Sequence, residues 1–594
     1  MKLSKIKLKG FRNFKESTIN FNEKTLIIGA NDVGKTNLLW AIRILLDRSL
    51  NDYDIEPKDS DFYAYDEIDE FEISIFFNDV TEDAVVSKLK GFISDDDKLI
   101  LSYKAIRDKK TSKKTYKLYA GHKYDRLQEI EDRFYRKVLN VKYIGSRRDL
   151  NSYINREKNN LFEIAKENRV PKDVEEDDKL LSEIQKTLKN DVDDKIPKLN
   201  FISKATSTIN EELKDLSIHH KKQEIVFDTN ASNINKFLNN VSIASKYKGK
   251  SILIGGDGRL NQIYLALWAA KNELKEEKIE EFSIICIEEP EAHLHPHQQR
   301  KLAEYLNKTI NGQVILTTHS PQITSEFSPN SIIRLLNKNG ATSAASKGCS
   351  KIIDEAFSDF GYRMSIIPAE AFYSDVVLLV EGVSEELLYK TLAKQLNIDL
   401  DRLNISIMMV DGIGFKPFIN ILNSLKIEWI LRTDNDIFKI KDKEKYRFAG
   451  IQRGISFYRE CYNNDEFEKI LEENESLISG FIEPTPIDNK KAANKIKEKL
   501  KGFYIYIAEK DLENDLYNSK IKEDLEEYFS EYDNIVNLMQ KRKATFMYDF
   551  LKNKKDSLIK LKDSEIAQPL FKCVEIIERI QNETDWATKR HNRI

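Results

Sequence analysis

The chain has 594 residues, enough for about three or four domains at roughly 100–200 residues each. Hydrophobic residues make up 41% and charged ones 32%, and 95 Lys and Arg against 98 Asp and Glu leave a formal charge of -3. Sizeable cores can therefore form, while any nucleic-acid surface must be a local basic patch. Four cysteines without a C-x-x-C pair argue against a zinc or disulfide framework, and no apolar run is long enough for a signal peptide or a membrane span. The expectation is a cytoplasmic protein with reduced thiols and no membrane partner.

The chain opens with Leu3, Ile6, Leu8, Phe11 and Phe14 spaced among lysines. A short apolar strand at 25–28 follows, then a glycine loop and an amphipathic helix carrying Leu38, Leu39, Ile42, Leu45 and Leu46. Further strands are expected at 71–77 and 98–106. Residues 151–247, rich in Lys, Glu, Asp and Asn, read as helices inserted into a sheet domain. Strand patterns return at 252–254, 284–287 and 314–316. The polar stretch 337–348 reads as a linker, placing a boundary region at 341–370. A second α/β unit opens at 376–380, with strands near 405–410, 429–432 and 503–507 and a charged, helical remainder. The expected domains are thus 1–150 and 248–340 as two parts of one head, 151–247 as an insert, and 371–594 as the second unit.

Gly29-Ala-Asn-Asp-Val-Gly34-Lys35-Thr36 fits G-x-x-x-x-G-K-[ST] between a strand and a helix, where backbone N–H groups and a helix N-terminus favour phosphate. Lys35 would reach the β/γ-phosphates of ATP and Thr36 would ligate Mg²⁺. The strand at 284–287 delivers Glu288 and Glu289, suited respectively to holding Mg²⁺ and to orienting the attacking water. About thirty residues on, Leu316-Thr-Thr-His319-Ser-Pro places a histidine within reach of a γ-phosphate. His293, His295 and His297 lie just after the paired glutamates, where a loop reading outweighs a metal site.

The second unit carries Glu381 at a strand end, Gly382, and Glu385 one helical turn on; Asp434-Asn-Asp436 ends another strand. Alternation points both aspartates to one side. Three or four carboxylates so close are tolerable around a divalent cation, Mg²⁺ or Mn²⁺, acting on phosphates. Asp511 and Glu513, alternating after the strand at 503–507, can share one face. These motifs resemble the OLD (overcoming lysogenisation defect) family, which has a functional lysine near here; the resemblance implies Lys543 first, and Lys541 second, as the cation that would steady developing phosphorane charge or the leaving oxygen. Asp411, Gly412 and Gly414 form either a turn or the rim of this site.

The stretch Ile6-Lys-Leu-Lys-Gly-Phe-Arg-Asn-Phe, the loop GANDVGKTN, IEEPE and TTHS together resemble ABC-type ATPases of the RecF, Rad50 and SMC group, and most closely the OLD (overcoming lysogenisation defect) family. LVEG-x-SE followed by TDND resembles the Toprim fold of that family. The resemblance implies an ABC-type α/β head with a helical insert followed by an α/β Toprim domain with a helical tail. It assigns Asn31, Gly34, Lys35, Thr36, Asn37, Glu288 and His319 to nucleotide, and Glu289 to catalysis. Gly256 and Gly258 fall in the signature loop, where Gly-Gly-Asp-Gly-Arg departs from the usual Ser-Gly-Gly and puts ATP turnover in question. In the Toprim part it implies a two-metal site in which Glu381, Asp434 and Asp436 hold one metal and Glu385, Asp511 and Glu513 help hold another. By the same resemblance the insert is a dimerisation element. One head supplies one half-site pair, so a homo-oligomer is expected, at least a dimer and up to a tetramer. Within the family, the wording of DLENDLY and the chain length look most like the nuclease subunits of Gabija anti-phage systems. That implies DNA as substrate and a separately encoded UvrD-type helicase, GajB, as partner. Other OLD nucleases, and a non-cutting ATP-driven DNA clamp, are the competing readings.

Overall fold

A computed structural model describes residues 1–145, 150–216, 244–253 and 281–591, apart from positions 65, 67, 189–194, 196–197, 248–249, 309–311, 339, 350–365, 411–413, 442–443 and 483–486; in addition it describes 259–260, 263 and 266–267. Gly256 and Gly258 of the signature loop and Asp411 and Gly412 lie outside the described residues. Two compact units are present: Met1–Ile144 with Glu280–Glu291 and Pro296–Ile594, and Gly145–Ile279 with Ala292–His295.

In the first unit, an antiparallel sheet runs in the order Phe14–Asn20, Lys2–Phe11, Glu70–Asn78, Leu99–Arg107, Lys114–Gly121, Gln128–Ile130. Its strands alternate, as one-sided sheets do: Leu3, Ile6, Leu8, Ile73, Ile75, Leu101 and Tyr103 are buried. A second sheet is ordered Ala341–Ala344, Ile332–Lys338, Lys24–Ile28, Val314–Thr317, Phe282–Glu288, Leu139–Ile144. Ile332–Lys338 and the four strands after it are parallel. The inner strands Lys24–Ile28, Val314–Thr317 and Phe282–Glu288 read as largely apolar runs because both faces are covered. The helix Lys35–Leu46 buries Leu38, Leu39, Ile42 and Leu45 in the core shared by the two sheets.

A third sheet, all parallel, is ordered Ile405–Met409, Val376–Val380, Glu428–Thr433, Ile505–Ile507. In such sheets ligands gather at the carboxyl ends of the strands, and three of these ends lead directly into the acidic motifs. The charged C-terminal stretch is helical as expected: Lys522–Tyr528, Ile535–Lys541, Lys543–Lys554 and Gln568–His591. It is no appendage, since Phe546, Phe550, Leu570 and Ile577 join the core of this third sheet.

Two expectations change. The stretch 337–348 is not a loose linker: Ala341–Ala344 pairs antiparallel with Ile332–Lys338, and Thr342 is buried. Its alternating small residues suit an edge strand, and polar composition alone hid that. Residues 250–253 belong with the insert rather than the head: Lys250–Leu253 pairs antiparallel with Ala244–Tyr247 in a separate two-stranded sheet. Among its described residues the insert also carries the helices Leu150–Glu167, Pro171–Leu188 and Asn200–Leu216, and Arg169, in the turn between the first two, bridges to Asp177 at 2.8 Å. Phe162, Leu180, Ile184, Phe201 and Ile209 stand exposed on these helices.

Candidate functional site

The phosphate loop leaves Lys24–Ile28 through Gly29 at φ 151° and enters its helix through Gly34 at φ 101°. At Gly34 a Cβ would fall 2.0 Å from the Asn13 amide, so a side chain there would be strained by the backbone conformation and would displace Asn13. Asn13 explains the Gly-Phe-Arg-Asn-Phe motif. Its amide donates to the Val33 carbonyl at 2.8 Å and to Thr342 Oγ1 at 2.6 Å, and Thr342 donates to the same Val33 carbonyl. Asn37 is held by both ends, donating to Asn13 Oδ1 and accepting from Arg12, each at 2.8 Å. The first hairpin and the edge strand therefore brace the loop from outside. Lys35 is buried and donates to the loop carbonyls of Gly29 (3.0 Å) and Ala30 (2.8 Å). Burial lowers its pKa, against the opposing pull of Glu289, Asp32 and Glu291. Asn31 and Thr36 are exposed at the mouth of the loop.

Phe282–Glu288 lies two strands from the phosphate-loop strand, with Val314–Thr317 between them. Glu288, at its end, is buried and accepts from the Tyr143 hydroxyl at 2.7 Å. The guanidinium of Arg43 sits 3.7 Å above the Tyr143 ring. Glu289 is half exposed at φ 42°, and His319 Nε2 stands 4.0 Å from its carboxylate. Burial, then the neighbouring Lys35, lowers the His319 pKa, favouring the neutral imidazole. Glu291 accepts from the His319 backbone N–H and from Thr318, both at 2.8 Å. Gly34, Lys35, Thr36, Glu288, Glu289 and His319 thus follow three neighbouring strands of one sheet, while Gly256 and Gly258 lie outside the described residues. His297, from the histidine cluster, lies 2.7 Å from Arg300.

In the third sheet, Glu381 follows the central strand Val376–Val380, and Gly382 turns the chain into Val383–Gln395, burying Glu385 in the first turn. Asp434 follows the neighbouring strand and is 4% exposed, while Asp436 is half buried. Asp511 caps the helix Leu512–Tyr517, accepting from the Asn514 N–H at 2.7 Å, and Glu513 is 2% exposed. Burial raises the Asp434 pKa to about 8, helped by Glu381 and Glu385 and opposed by Arg432 and Lys543. Burial likewise raises Asp436, Glu385 and Glu513. Lys543, at the start of Lys543–Lys554, moves the other way from a lone buried amine: burial pulls its pKa down, but Glu513, Asp434, Glu385 and Glu381 together raise it. All seven predicted residues of this unit therefore share one electrostatic neighbourhood.

Protein donors already occupy much of it. Glu381 Oε1 accepts from the Thr433 hydroxyl, from the Asp434 N–H at 2.9 Å and from Arg453 at 3.1 Å. Both Asp511 oxygens accept from Asn514, and Gln540 donates to Oδ2 at 2.8 Å. Arg432, buried on its strand, pairs with Asp515 at 2.7 Å. Accordingly, among the described residues no group of three or more His, Cys, Asp or Glu side chains is set to hold a metal ion as it stands. The expected shells of Glu381, Asp434 and Asp436, and of Glu385, Asp511 and Glu513, are neighbours without being converged. In kind they fit a hard divalent cation: the donors are all carboxylate oxygens, and buried Glu513 Oε2 lacks a hydrogen-bond partner.

Sequence reasoning missed Arg453, Gln540, Tyr143 and Asn13. Asn13 stood inside the Ile6–Phe14 motif, and Gln540 directly before Lys541. Arg453 and Tyr143 lie in an ordinary helix and strand with no spacing to mark them.

A phosphate loop, an acidic strand end and a histidine on one parallel sheet, joined to a second parallel sheet with carboxylates at three strand ends, define an ATPase head fused to a Toprim domain. The chain belongs to the AAA ATPase domain family, whose model matches residues 1–324. Residues 372–436 match the Toprim domain of overcoming lysogenization defect protein-like proteins. Together the two domains call for ATP and a divalent metal ion as cofactors. Among curated relatives, the chain is 29% identical over 582 residues to endonuclease GajA of Bacillus cereus strain VD045, covering 93% of this chain and 95% of the relative. It is 27% identical over 271 residues to endonuclease GajA of Bacillus cereus strain HuB5-5 (40% of this chain, 38% of the relative). It is 26% identical over 483 residues to the Old nuclease of Escherichia phage P2 (73% and 77%). Among the described residues no helix is long and apolar enough to cross a membrane.

Proposed function

We propose that this protein is an ATP-regulated, metal-dependent DNA endonuclease of the Gabija type, acting in anti-phage defence in the cytoplasm. The observation that carries the reading is the crowding of Glu381, Glu385, Asp434, Asp436 and Glu513 around Lys543, where burial and mutual repulsion push up the pKa of four of these carboxyls. Such a cluster is relieved by a divalent cation. Mg²⁺ or Mn²⁺ bound there would supply an activated water and neutralise charge on a phosphodiester. Glu381, Asp434 and Asp436 form one set of ligands and Glu385, Asp511 and Glu513 the other. Lys543, whose charge is coupled to Glu513, Asp434, Glu385 and Glu381, faces the leaving oxygen. Gln540 and Asn514 fix Asp511.

In the head, Gly34, Lys35, Thr36 and Asn31 receive the ATP phosphates, and Asn37 holds the loop in shape through Asn13 rather than touching nucleotide. Glu288 serves the nucleotide metal, Glu289 the attacking water, and His319 senses the γ-phosphate. The exposed Phe162, Leu180, Ile184, Phe201 and Ile209 on the insert helices suit burial against a second copy, giving a homo-oligomer of at least two chains. The similarity to GajA along nearly the whole chain supports a UvrD-type helicase, GajB, as partner.

The test is cleavage of supercoiled and linear DNA with Mg²⁺ or Mn²⁺, with and without ATP, for wild type beside Glu381→Ala. Cutting that the substitution abolishes is expected. Metal-dependent cutting absent from the wild type, alone and with the helicase, would overturn the reading in favour of a DNA clamp.

A further inference from the structure

The helix Ala449–Cys461 packs end-on against the loop after Glu428–Thr433. The approach is so close that a Cβ on Gly450 would lie 2.1 Å from the Asp434 carbonyl oxygen. The Ala449 N–H donates to the Asp436 carbonyl at 2.9 Å. Residue 453 lies three positions beyond Gly450, on the same helix face. The contact that requires glycine thus also aims Arg453 back at the two strand ends. There its NH2 group lies within hydrogen-bond distance of Glu381 Oε1 (3.1 Å), Thr433 Oγ1 (3.0 Å) and the Asp434 carbonyl (2.9 Å).

With the Thr433 hydroxyl and the Asp434 N–H, this gives Glu381 Oε1 three donors and leaves Oε2 outside that set. A carboxylate that ligates a metal needs such an outer set of hydrogen bonds to fix which oxygen faces the ion. We propose that Arg453 is a positioning residue of the nuclease centre: it ties the Glu381 and Asp434 strand ends together and presents Glu381 Oε2 to the metal. The inference rests on the reading of this cluster as a metal site.

A cation near a metal also repels it, so the two effects oppose each other. Arg453 is 39% exposed, and water and salt screen its charge. Loss of an outer-shell partner, by contrast, typically weakens metal binding by about 10–100-fold. Orientation therefore wins.

The experiment is Mn²⁺ titration of the full-length protein without nucleotide, followed by calorimetry and by the paramagnetic resonance of the ion. Wild type, Glu381→Ala, Arg453→Ala, Arg453→Lys and Thr433→Val are compared. Arg453→Ala is expected to weaken Mn²⁺ binding by about 10–100-fold, and Arg453→Lys to restore part of it. Thr433→Val, which deletes one other donor to the same oxygen while keeping the shape, shifts affinity in the same direction and carries the test if Arg453→Ala does not fold. Equal or tighter binding in the arginine and threonine variants, with Glu381-dependent binding intact in the wild type, overturns the positioning role alone. No Glu381-dependent Mn²⁺ binding in the wild type overturns the metal-site reading and the inference with it.

Discussion

Arg334, on the parallel strand Ile332–Lys338 of the nucleotide-binding sheet, donates to Asp375 at 3.2 Å, one residue before the central strand of the Toprim sheet. The same guanidinium donates to the carbonyls of Ser374 and Lys426 at 3.0 Å. Beside it, the Tyr373 hydroxyl meets Thr324 Oγ1 at 2.7 Å and the Ser320 carbonyl at 3.4 Å, and Ser320 follows His319 directly. A short run of hydrogen bonds therefore leads from the His319 end of the head to the strand that precedes Glu381.

Arg334→Ala removes the donor from the Ser374 and Lys426 carbonyls and from the Asp375 carboxylate at this junction. At about 1–3 kcal/mol for each buried group left unsatisfied, a loss of roughly 2–4 kcal/mol is expected after relaxation and hydration. Chemical denaturation checks the loss. The milder Tyr373→Phe deletes only a hydroxyl, and should reduce the response of DNA cutting to ATP while leaving cutting without ATP near wild type.

Lys35→Ala deletes the amine that would exchange its two loop carbonyls for phosphate oxygens. Hydrogen bonds to charged groups are worth about 1.5–3 kcal/mol, so ATP binding should weaken by about 10–100-fold. A fluorescent ATP analogue measures this. DNA cutting by the variant should persist and lose its dependence on ATP.

Lys543→Ala should lower the rate of cutting by about 10²–10³-fold, the range for removing one group that stabilises transition-state charge. Lys541→Ala, which removes a lysine that is not among the charges acting on Asp434, Asp436 and Glu513, should cut almost normally. Single-turnover cleavage of a short duplex separates the two, and equal effects would remove Lys543 from its assigned role.

Asp434 gives a pH signature. Its folded pKa, about 8, lies above the ordinary carboxylate value, because burial and then Glu381 disfavour its charge. Across the window from about 4 to 8 the unfolded chain releases this proton and the folded chain retains it. Metal-free stability is therefore greatest at the acid end and falls as pH rises, by at most about 1.4 kcal/mol per pH unit from this group, then levels off above 8. In EDTA, Asp434→Asn should be increasingly more stable than wild type as pH climbs from 5.5 to 8. Added Mn²⁺ should stabilise wild type most at the alkaline end. Thermal unfolding across pH reads both.

Much of this was legible because parallel strands buried on both faces read as apolar runs, and glycines or carboxylates mark where they stop. Leu26 to Ile28 before Gly29, Leu378 to Val380 before Glu381, and Leu431 before Asp434 are of this kind. Long-range partners were not legible. Nothing local in Gln-Arg453-Gly distinguishes it from any solvated helix turn, and its role appears only when Gly450 brings that helix onto the Asp434 carbonyl. Thr342 looked like linker because an edge strand of small residues carries no apolar signal. Asn37 matched a nucleotide-binding pattern, yet its amide is engaged by Asn13 and Arg12.

The strand order of the nucleotide sheet bears on how the chain is made. Lys24–Ile28 emerges early from the ribosome, but its two neighbours, Val314–Thr317 and Ile332–Lys338, are synthesised nearly three hundred residues later. Pairings this distant close slowly and leave apolar edges waiting. The early antiparallel strands from 2 to 130 can form beforehand as a meander of mostly sequential neighbours, whereas the ATP pocket comes together only once the strand at 332–338 has left the tunnel. The Toprim sheet, whose strands all lie between 376 and 507, then folds onto a head that has just been completed. A nascent chain thus passes through a long interval with neither site assembled, and it gains the nucleotide-binding sheet before the sheet that carries the nuclease carboxylates.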